Sequence, residues 1–262
     1  MSLFILDTHA LMYRAHYAME RQYLHTKSGF PTGSIYGMTQ YLTGIKNSYN
    51  PENWAAVMDP GSKSHRHVIY PAYKDNRKPM PEALIMQLPE IERLLNIFGI
   101  TVIKIPGYEA DDLIASVVNE FKWLCQIKII SKDKDLTQLI CDKVEMLSPN
   151  GTGKFDVINT DSVVEKFGVM PENIAKWLAL VGDSGDNIPG VKGIGPKGAV
   201  RLINSGEDLS KKPGFELSLS LTTLQNYPEV IPNIPKYEGP NINELRKFYE
   251  EFELNSFLKD LK

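Results

Sequence analysis

The acidic residues of this 262-residue chain are not scattered. Asp7 and Asp59 close two short apolar runs, at 3–6 and 54–58. Glu109, Asp111 and Asp112 follow a third run at 101–105 and open a helical pattern. Asp133 and Asp135 follow a fourth at 126–131, and Asp183 and Asp186 stand in Gly182-Asp183-Ser184-Gly185-Asp186-Asn187. Nine carboxylates in one place repel one another, and crowding raises their pKa values unless something neutralises them. A hard divalent cation does so, and oxygen-only ligands suit Mg²⁺ or Mn²⁺. Nine are too many for one Mg²⁺ that keeps several waters, so the count points to two ions. Two metals about 3.5–4 Å apart activate water and stabilise the leaving oxygen of a phosphodiester. Helix capping explains any one of these acids alone. It explains less well three acids ahead of one apolar helix face, or an acid at every strand end.

The elements that must position these acids alternate. The four apolar runs read as strands, and helical spacing separates them. Residues 33–47 carry Ile35, Met38, Tyr41, Leu42 and Ile45; residues 82–98 carry Leu84, Leu88, Ile91, Leu94, Leu95 and Phe98; residues 110–124 carry Leu113, Ile114, Val117, Val118, Phe121 and Leu124. The pattern predicts an α/β fold with a mostly parallel central sheet covered by helices. In such sheets ligands bind beyond the carboxyl ends of the strands, where the acids fall. After about residue 160 the pattern changes to helices and turns. Thr160 reads as the N-cap of 161–167, Gly168 ends it, and Pro171 opens 172–181. A Gly-rich turn at 190–199 leads into another helix, and a last helix over about 241–258 packs back on the body. The expected division is 1–160 for the α/β part and 161–262 for a helical part.

Two basic elements flank the acids. Between Asp59 and Pro81 lie Lys63, His65, Arg66, His67, Lys74, Arg77 and Lys78, with Tyr70 and Tyr73 interleaved. Lys74 and Arg77 are three apart and on a helix would share a face that could clamp a phosphodiester. A solvated basic loop is the plainer account of such a run, but it directly follows a candidate metal-ligand strand. The second element holds Lys192, Lys197 and Arg201 with no acid among them. Its glycines at 190, 193, 195 and 198 let a backbone approach closely and leave N–H groups free for phosphate. Such a turn grips a nucleic-acid backbone without reading bases.

Composition excludes other classes. No run of about 18 apolar residues exists to span a membrane. The N-terminus reaches Asp7 too soon for a signal peptide. The two cysteines, Cys125 and Cys141, form no C-x-x-C pair, which suits free thiols in a reducing, cytoplasmic, nucleoid-associated setting. No histidine pair has metal-ligand spacing. G-x-S-x-G, Walker A and dinucleotide fingerprints are missing, so triad hydrolases, P-loop enzymes and dehydrogenases lack support. The net charge of −3 at first argues against a nucleic-acid partner. Without the nine clustered acids the remainder is +6, a basic surface around an acidic crevice.

Leu6-Asp7-Thr8-His9, Met58-Asp59, Tyr73-Lys74-Asp75-Asn76-Arg77, Pro106-Gly107-Tyr108-Glu109-Ala110-Asp111-Asp112, Asp133-Lys134-Asp135-Leu136 and residues 182–195 occur in order. This series resembles the 5′-nuclease domain of bacterial DNA polymerase I and, more broadly, the flap endonucleases, over residues 3 to about 205. The resemblance implies a structure-specific 5′→3′ exonuclease and flap endonuclease that leaves 5′-phosphates, in replication and repair. It implies that Asp7, Asp59, Glu109 and Asp111 hold one metal. Asp112, Asp133, Asp135, Asp183 and Asp186 belong to a second cluster, and the ions are two Mg²⁺ or Mn²⁺. Lys74 and Arg77 match a catalytic basic pair at the base of a helical arch, about 60–80. Residues 188–203 match a helix–three-turn–helix that binds duplex phosphates and a K⁺ ion. Lys192, Gly193, Gly195, Lys197 and Arg201, with Arg66, Tyr13 and Arg14, are the expected DNA contacts. The implied partner is DNA with a 5′ flap or a single/double-strand junction, bound by a monomer, with a DNA polymerase acting in trans.

The sequence departs from the family's pattern in three places. Met58 stands where the family often has Phe. The segment after Arg201 is shorter, by about fifteen residues, than in polymerase I relatives. The chain stops at Lys262 with no polymerase segment following, as in a stand-alone enzyme or an excised domain. The second acidic cluster is complete, which favours catalysis. Two competing readings are a non-catalytic DNA-junction binder, which would need the basic turn but not the acids, and a PIN-like ribonuclease.

Overall fold

The computed structural model describes residues 2–151 and 154–261. β1 (Ser2–Asp7) runs through the centre, buried on both faces. Its side chains alternate: Phe4 and Leu6 enter one core, Leu3 and Ile5 the other. Asp7 ends the strand and caps α1 (Thr8–Met19), its Oδ1 accepting the Ala10 N–H at 3.2 Å. α2 (Gly33–Tyr49) crosses α1 so closely that a Cβ on Gly37 would sit 2.6 Å from the Ala15 Cβ. β2 (Asn53–Val57), α3 (His65–Ile69), α4 (Glu82–Ile97), β3 (Thr101–Ile103), α5 (Ala110–Phe121) and β4 (Gln126–Ile130) follow. β5 (Val144–Pro149) and β6 (Phe155–Ile158) complete a sheet ordered β3-β2-β1-β4-β5-β6.

β1 to β5 are parallel and β6 runs antiparallel at the edge. The chain builds outward from β1 to β3, then returns through α5 to place β4 on β1's other side. The strand order therefore reverses between β1 and β4, and a crevice opens beyond the carboxyl ends at such a point. Asp7 and Asp133 flank it. β5 and β6 add to the four expected strands. Glu145 interrupts the apolar run of β5, and β6 is a half-exposed edge strand, so neither has a clear pattern of its own.

α1, α2 and α4 cover one face of the sheet and α5 the other. α6 (Thr160–Phe167) is capped by Asn159, not Thr160: Asn159 Oδ1 accepts the Ser162 N–H at 3.0 Å. Gly168, at φ 74°, closes it as expected. α7 (Ile174–Val181), α8 (Pro196–Ser205) and α9 (Phe215–Thr222) pack around Leu180, Val191, Leu202 and Phe215. α10 (Ile242–Glu251) and α11 (Asn255–Asp260) then leave this helical group. Leu245, Phe248, Tyr249 and Phe252 join Phe4, Leu42 and Leu94 in one core. The last helix thus returns to the body, and the expected 161–262 unit is split: its final turns belong to the α/β core.

Candidate active site

Four strand ends deliver the acids. The crevice at the switch point has a volume of about 410 Å³, and its lining includes Asp7, Asp59, Glu109, Asp111 and Asp133. Asp7 is held by the Ser131 hydroxyl, which donates to Oδ2 at 2.6 Å and accepts the Asp133 N–H at 2.9 Å. That serine stitches β1 to the β4 end across the point where the strand order reverses. Asp133 Oδ1 accepts the Asp135 N–H at 2.9 Å, so the two acids share one turn. Asp59 Oδ1 accepts the Gly61 N–H at 2.8 Å, and its own N–H donates to His9 Nδ1 at 3.1 Å. Burial, then the fields of Asp133 and Asp59, pushes the Asp7 carboxyl up to about 6. Burial and Asp133 push Asp135 up to about 7. Burial, Asp133 and Asp7 raise Asp111 well above the usual range.

Other acids are already matched by cations. Lys74 Nζ lies 2.6 Å from Glu109 and 3.9 Å from Asp186. Tyr73 donates to Glu109 at 3.1 Å, and Ser64 donates to the other carboxylate oxygen. Burial pushes Glu109 up, but Lys74, Arg66 and these hydrogen bonds outweigh it and hold the carboxyl at about 2. Arg77 grips Asp186 through Nε at 3.0 Å and through Nη2. Lys134 lies 2.8 Å from Asp183; burial pushes that carboxyl up, but the hydrogen bond and charge of Lys134, with the backbone N–H groups of Gly185 and Asp186, together outweigh it and hold the carboxyl low. Among the described residues no three His, Cys, Asp or Glu side chains yet converge on one point. The basic side chains stand between the acids, so a cation entering here must displace them. The donor set fits a hard divalent ion: it is all oxygen, and Asp7, Asp111 and Asp135 repel one another without one.

Two expectations are corrected. Asp112 does not face the crevice. It is wholly buried, its two oxygens take Arg66 Nη1 at 2.6 Å and Nη2 at 2.8 Å, and Oδ1 also takes the Gln225 N–H. Arg66 is not a DNA contact: it is 2% exposed, and it also donates to the carbonyls of Leu221 and Thr223. Both sites are filled from inside the protein. The segment 60–80 lies down as a strap of α3 and a run of turns, in which Arg66 of α3 and Tyr73 of the turns are buried. Lys74 and Arg77 share no helix; Lys74 has φ 61°, and the Arg77 N–H closes a turn onto the Lys74 carbonyl. The strap is tied to the acidic loop, since the Lys74 N–H donates to the Asp186 carbonyl at 3.0 Å.

That loop is itself closed. Asp183 and Ile188 exchange two backbone hydrogen bonds, at 2.9 and 2.8 Å. Gly190 packs so tightly that a Cβ there would come 2.6 Å from the Gly182 nitrogen. Beyond it, Lys192, Gly193, Gly195, Lys197 and Arg201 are all exposed on the α7–α8 turn and on α8. A Cβ on Gly193 or Gly195 would meet no atom within 4 Å, so the backbone there is open to approach. Tyr13 lines the crevice; Arg14, one residue on, turns away and bonds the buried Tyr41. Sequence reasoning missed Ser64, Tyr73, Ser131, Lys134 and His9 as partners of the acids. Ser131 and Lys134 carried a signal, standing two residues before and one after Asp133.

An acidic crevice at the switch point of a parallel sheet, beside an exposed Gly-rich basic turn, defines a metal-dependent nuclease. The comparisons with known proteins agree. The family sequence model for the "5′-3′ exonuclease, N-terminal resolvase-like domain" matches residues 2–168, and that for the "5′-3′ exonuclease, C-terminal SAM fold" matches 169–212. A 5′-3′ exonuclease of Aquifex aeolicus is 35% identical, covering 99% of this chain and 95% of the relative. A DNA polymerase I of Treponema pallidum is 39% identical over 78% of this chain, which spans only 20% of that relative. Among solved structures, zinc-bound T5 5′-exonuclease superposes with a TM-score of 0.71 at 23% identity, over 100% of this chain and 98% of that one. Flap endonuclease-1 from Methanococcus jannaschii gives 0.65 at 16% identity, over 95% and 86%. The chain belongs to the 5′-3′ exonuclease family.

Proposed function

We propose that this chain cuts DNA at 5′ flaps and single/double-strand junctions, adding water across a phosphodiester. The water oxygen joins phosphorus, the bond from phosphorus to the 3′ oxygen breaks, and a 5′-phosphate remains on the downstream strand. The observation that carries this reading is the delivery of acids from four strand ends to one crevice, beside an exposed basic turn. Asp7, Asp59, Glu109 and Asp111 would hold one Mg²⁺ or Mn²⁺; Asp133, Asp135, Asp183 and Asp186 would hold the other. When bound, the pair supplies an activated water and a Lewis-acid hold on the leaving oxygen.

The chain's own groups do the rest. Ser131 keeps Asp7 and Asp133 at a fixed separation. Tyr73 and Ser64 hold Glu109. Lys74 and Arg77, once their acids are otherwise neutralised, offset the negative charge that develops on the phosphate. Lys192, Lys197 and Arg201 grip duplex phosphates, and the open backbone at Gly193 and Gly195 suits a phosphate and a K⁺ ion. Tyr13 lies at the crevice wall, where a base could stack. We read the protein as a monomer acting beside a DNA polymerase in trans, since relatives named DNA polymerase I carry the matching segment within one chain.

Digestion of a 5′-labelled flap duplex with Mg²⁺, then with chelator, tests the reading. Asp111→Asn and Asp135→Asn should each abolish cleavage and leave binding in Ca²⁺ intact. Wild-type rates in either variant would refute the two-metal assignment. Binding without turnover in both Mg²⁺ and Mn²⁺ would favour a non-catalytic junction binder, and preference for RNA a ribonuclease.

A further inference from the structure

His9 stands on the crevice wall, two residues past Asp7 in the first turn of α1. Its Nδ1 accepts the Asp59 backbone N–H at 3.1 Å. A backbone amide can only donate, so Nδ1 carries no proton in this arrangement, and the neutral ring holds its proton on Nε2. Nε2 lies across the ring from that amide and has no hydrogen-bond partner among the described residues. A protonated Nε2 has no free lone pair, so it cannot ligate a metal. What it can do is donate one hydrogen bond in a crevice whose lining includes the acceptors Asp7, Asp59, Asp111 and Asp133, alongside the neutral donors Tyr13, Ser62 and His67. The cationic donors nearby, Lys74 and Arg77, are engaged by Glu109 and Asp186.

We propose that His9 Nε2–H donates to a non-bridging oxygen of the phosphodiester seated in the crevice. His9 is then a catalytic residue with two separate tasks: one nitrogen fixes the Asp59 backbone and the other touches the substrate. This role rests on the nuclease reading above. A neutral donor suits the place, because it binds phosphate without competing with a divalent ion for the carboxylates.

The experiment compares the full-length wild type with His9→Asn and His9→Phe. Asn offers Oδ1 to the Asp59 N–H but falls short of the Nε2 position; Phe keeps the ring and offers neither. Three quantities are read for each: Mn²⁺ affinity without DNA by calorimetry, flap-duplex affinity in Ca²⁺ by fluorescence anisotropy, and the single-turnover cleavage rate in Mg²⁺. For His9→Asn the Mn²⁺ affinity should stay within about twofold, while flap affinity and rate each fall about tenfold, the worth of one hydrogen bond to a charged group. His9→Phe should lose all three. Flap affinity and rate at wild-type level in His9→Asn would overturn the proposal. So would a loss of Mn²⁺ affinity in His9→Asn as large as in His9→Phe, which would leave His9 only the support of Asp59. A wild type that binds Mn²⁺ and cuts the flap keeps the nuclease reading standing in either case; a wild type that does neither overturns both.

Discussion

Removing divalent ions should make this protein lose stability as pH rises, against the usual behaviour of carboxylates. Asp7 titrates at about 6 and Asp135 at about 7, while in an unfolded chain each lies near 4. A carboxyl whose folded pKa is raised contributes stability below its unfolded pKa and loses it as pH climbs to the folded value. Asp135 is therefore losing stability from pH 5 to 7, and Asp7 from pH 5 to 6. At about 1.36 kcal/mol per pH unit for each group, the two together cost roughly 4 kcal/mol over that interval. Glu109 and Asp183 are shifted down, so their contribution is complete by about pH 5 and does not interfere. His9 and His65 oppose the trend, because burial lowers their pKa values and their contributions grow as pH rises toward 6.5. The loss from these two carboxyls alone corresponds to a fall in Tm on the order of 10 °C for a chain of this size. The assay is scanning calorimetry at pH 5, 6, 7 and 8, in chelator and in saturating Ca²⁺. The Tm in chelator should fall from pH 5 to 7, with Asp111, also raised, adding to the fall, and the gap to the Ca²⁺ curve should widen over the same range. A chelator curve that rises or stays flat, or a gap that does not widen, would refute the crowding argument.

Other perturbations separate scaffold from chemistry. Arg66→Met should cost about 3–5 kcal/mol in denaturant unfolding, since it leaves Asp112 buried and unpaired. Arg66→Met with Asp112→Leu should recover most of that loss; a double variant no better than the single would place the cost elsewhere. Lys74→Met and Arg77→Met should each slow single-turnover cleavage by about 10²-fold while changing flap affinity little, read by rapid quench. Lys197→Ala and Arg201→Ala should each reduce the salt slope of duplex binding by roughly one, with the rate at saturating DNA unchanged.

Much of the site was legible because strand ends are legible. Asp7, Asp59, Glu109 and Asp133 each follow an apolar run, and a parallel sheet sends all such ends to one edge. Asp112 was not legible. Adjacent helix residues point in different directions, so Asp111 and Asp112 face the crevice and the interior respectively, and spacing alone does not say which is which. Arg66 is hidden for a related reason: in a basic run, a cation that is itself buried looks in sequence like its exposed neighbours. Three-residue spacing suits a turn as well as a helix, so the spacing of Lys74 and Arg77 does not tell the two apart. The return of α10 to the first core depends on contacts across nearly the whole chain, which local periodicity does not report.

The tight contact between Gly182 and Gly190 has a geometric consequence. The loop bearing Asp183 and Asp186 starts at one glycine, and the turn bearing Lys192 starts at the other. With no side chain between them and a closed backbone ladder across 183–188, the two segments move as one piece. If Lys192 and its neighbours hold duplex phosphates as proposed, the reach from those phosphates to the acids is a fixed length, like the arm of a caliper. On that reading, where the strand is incised, counted in nucleotides from the junction, would follow that length and not the bases that lie there.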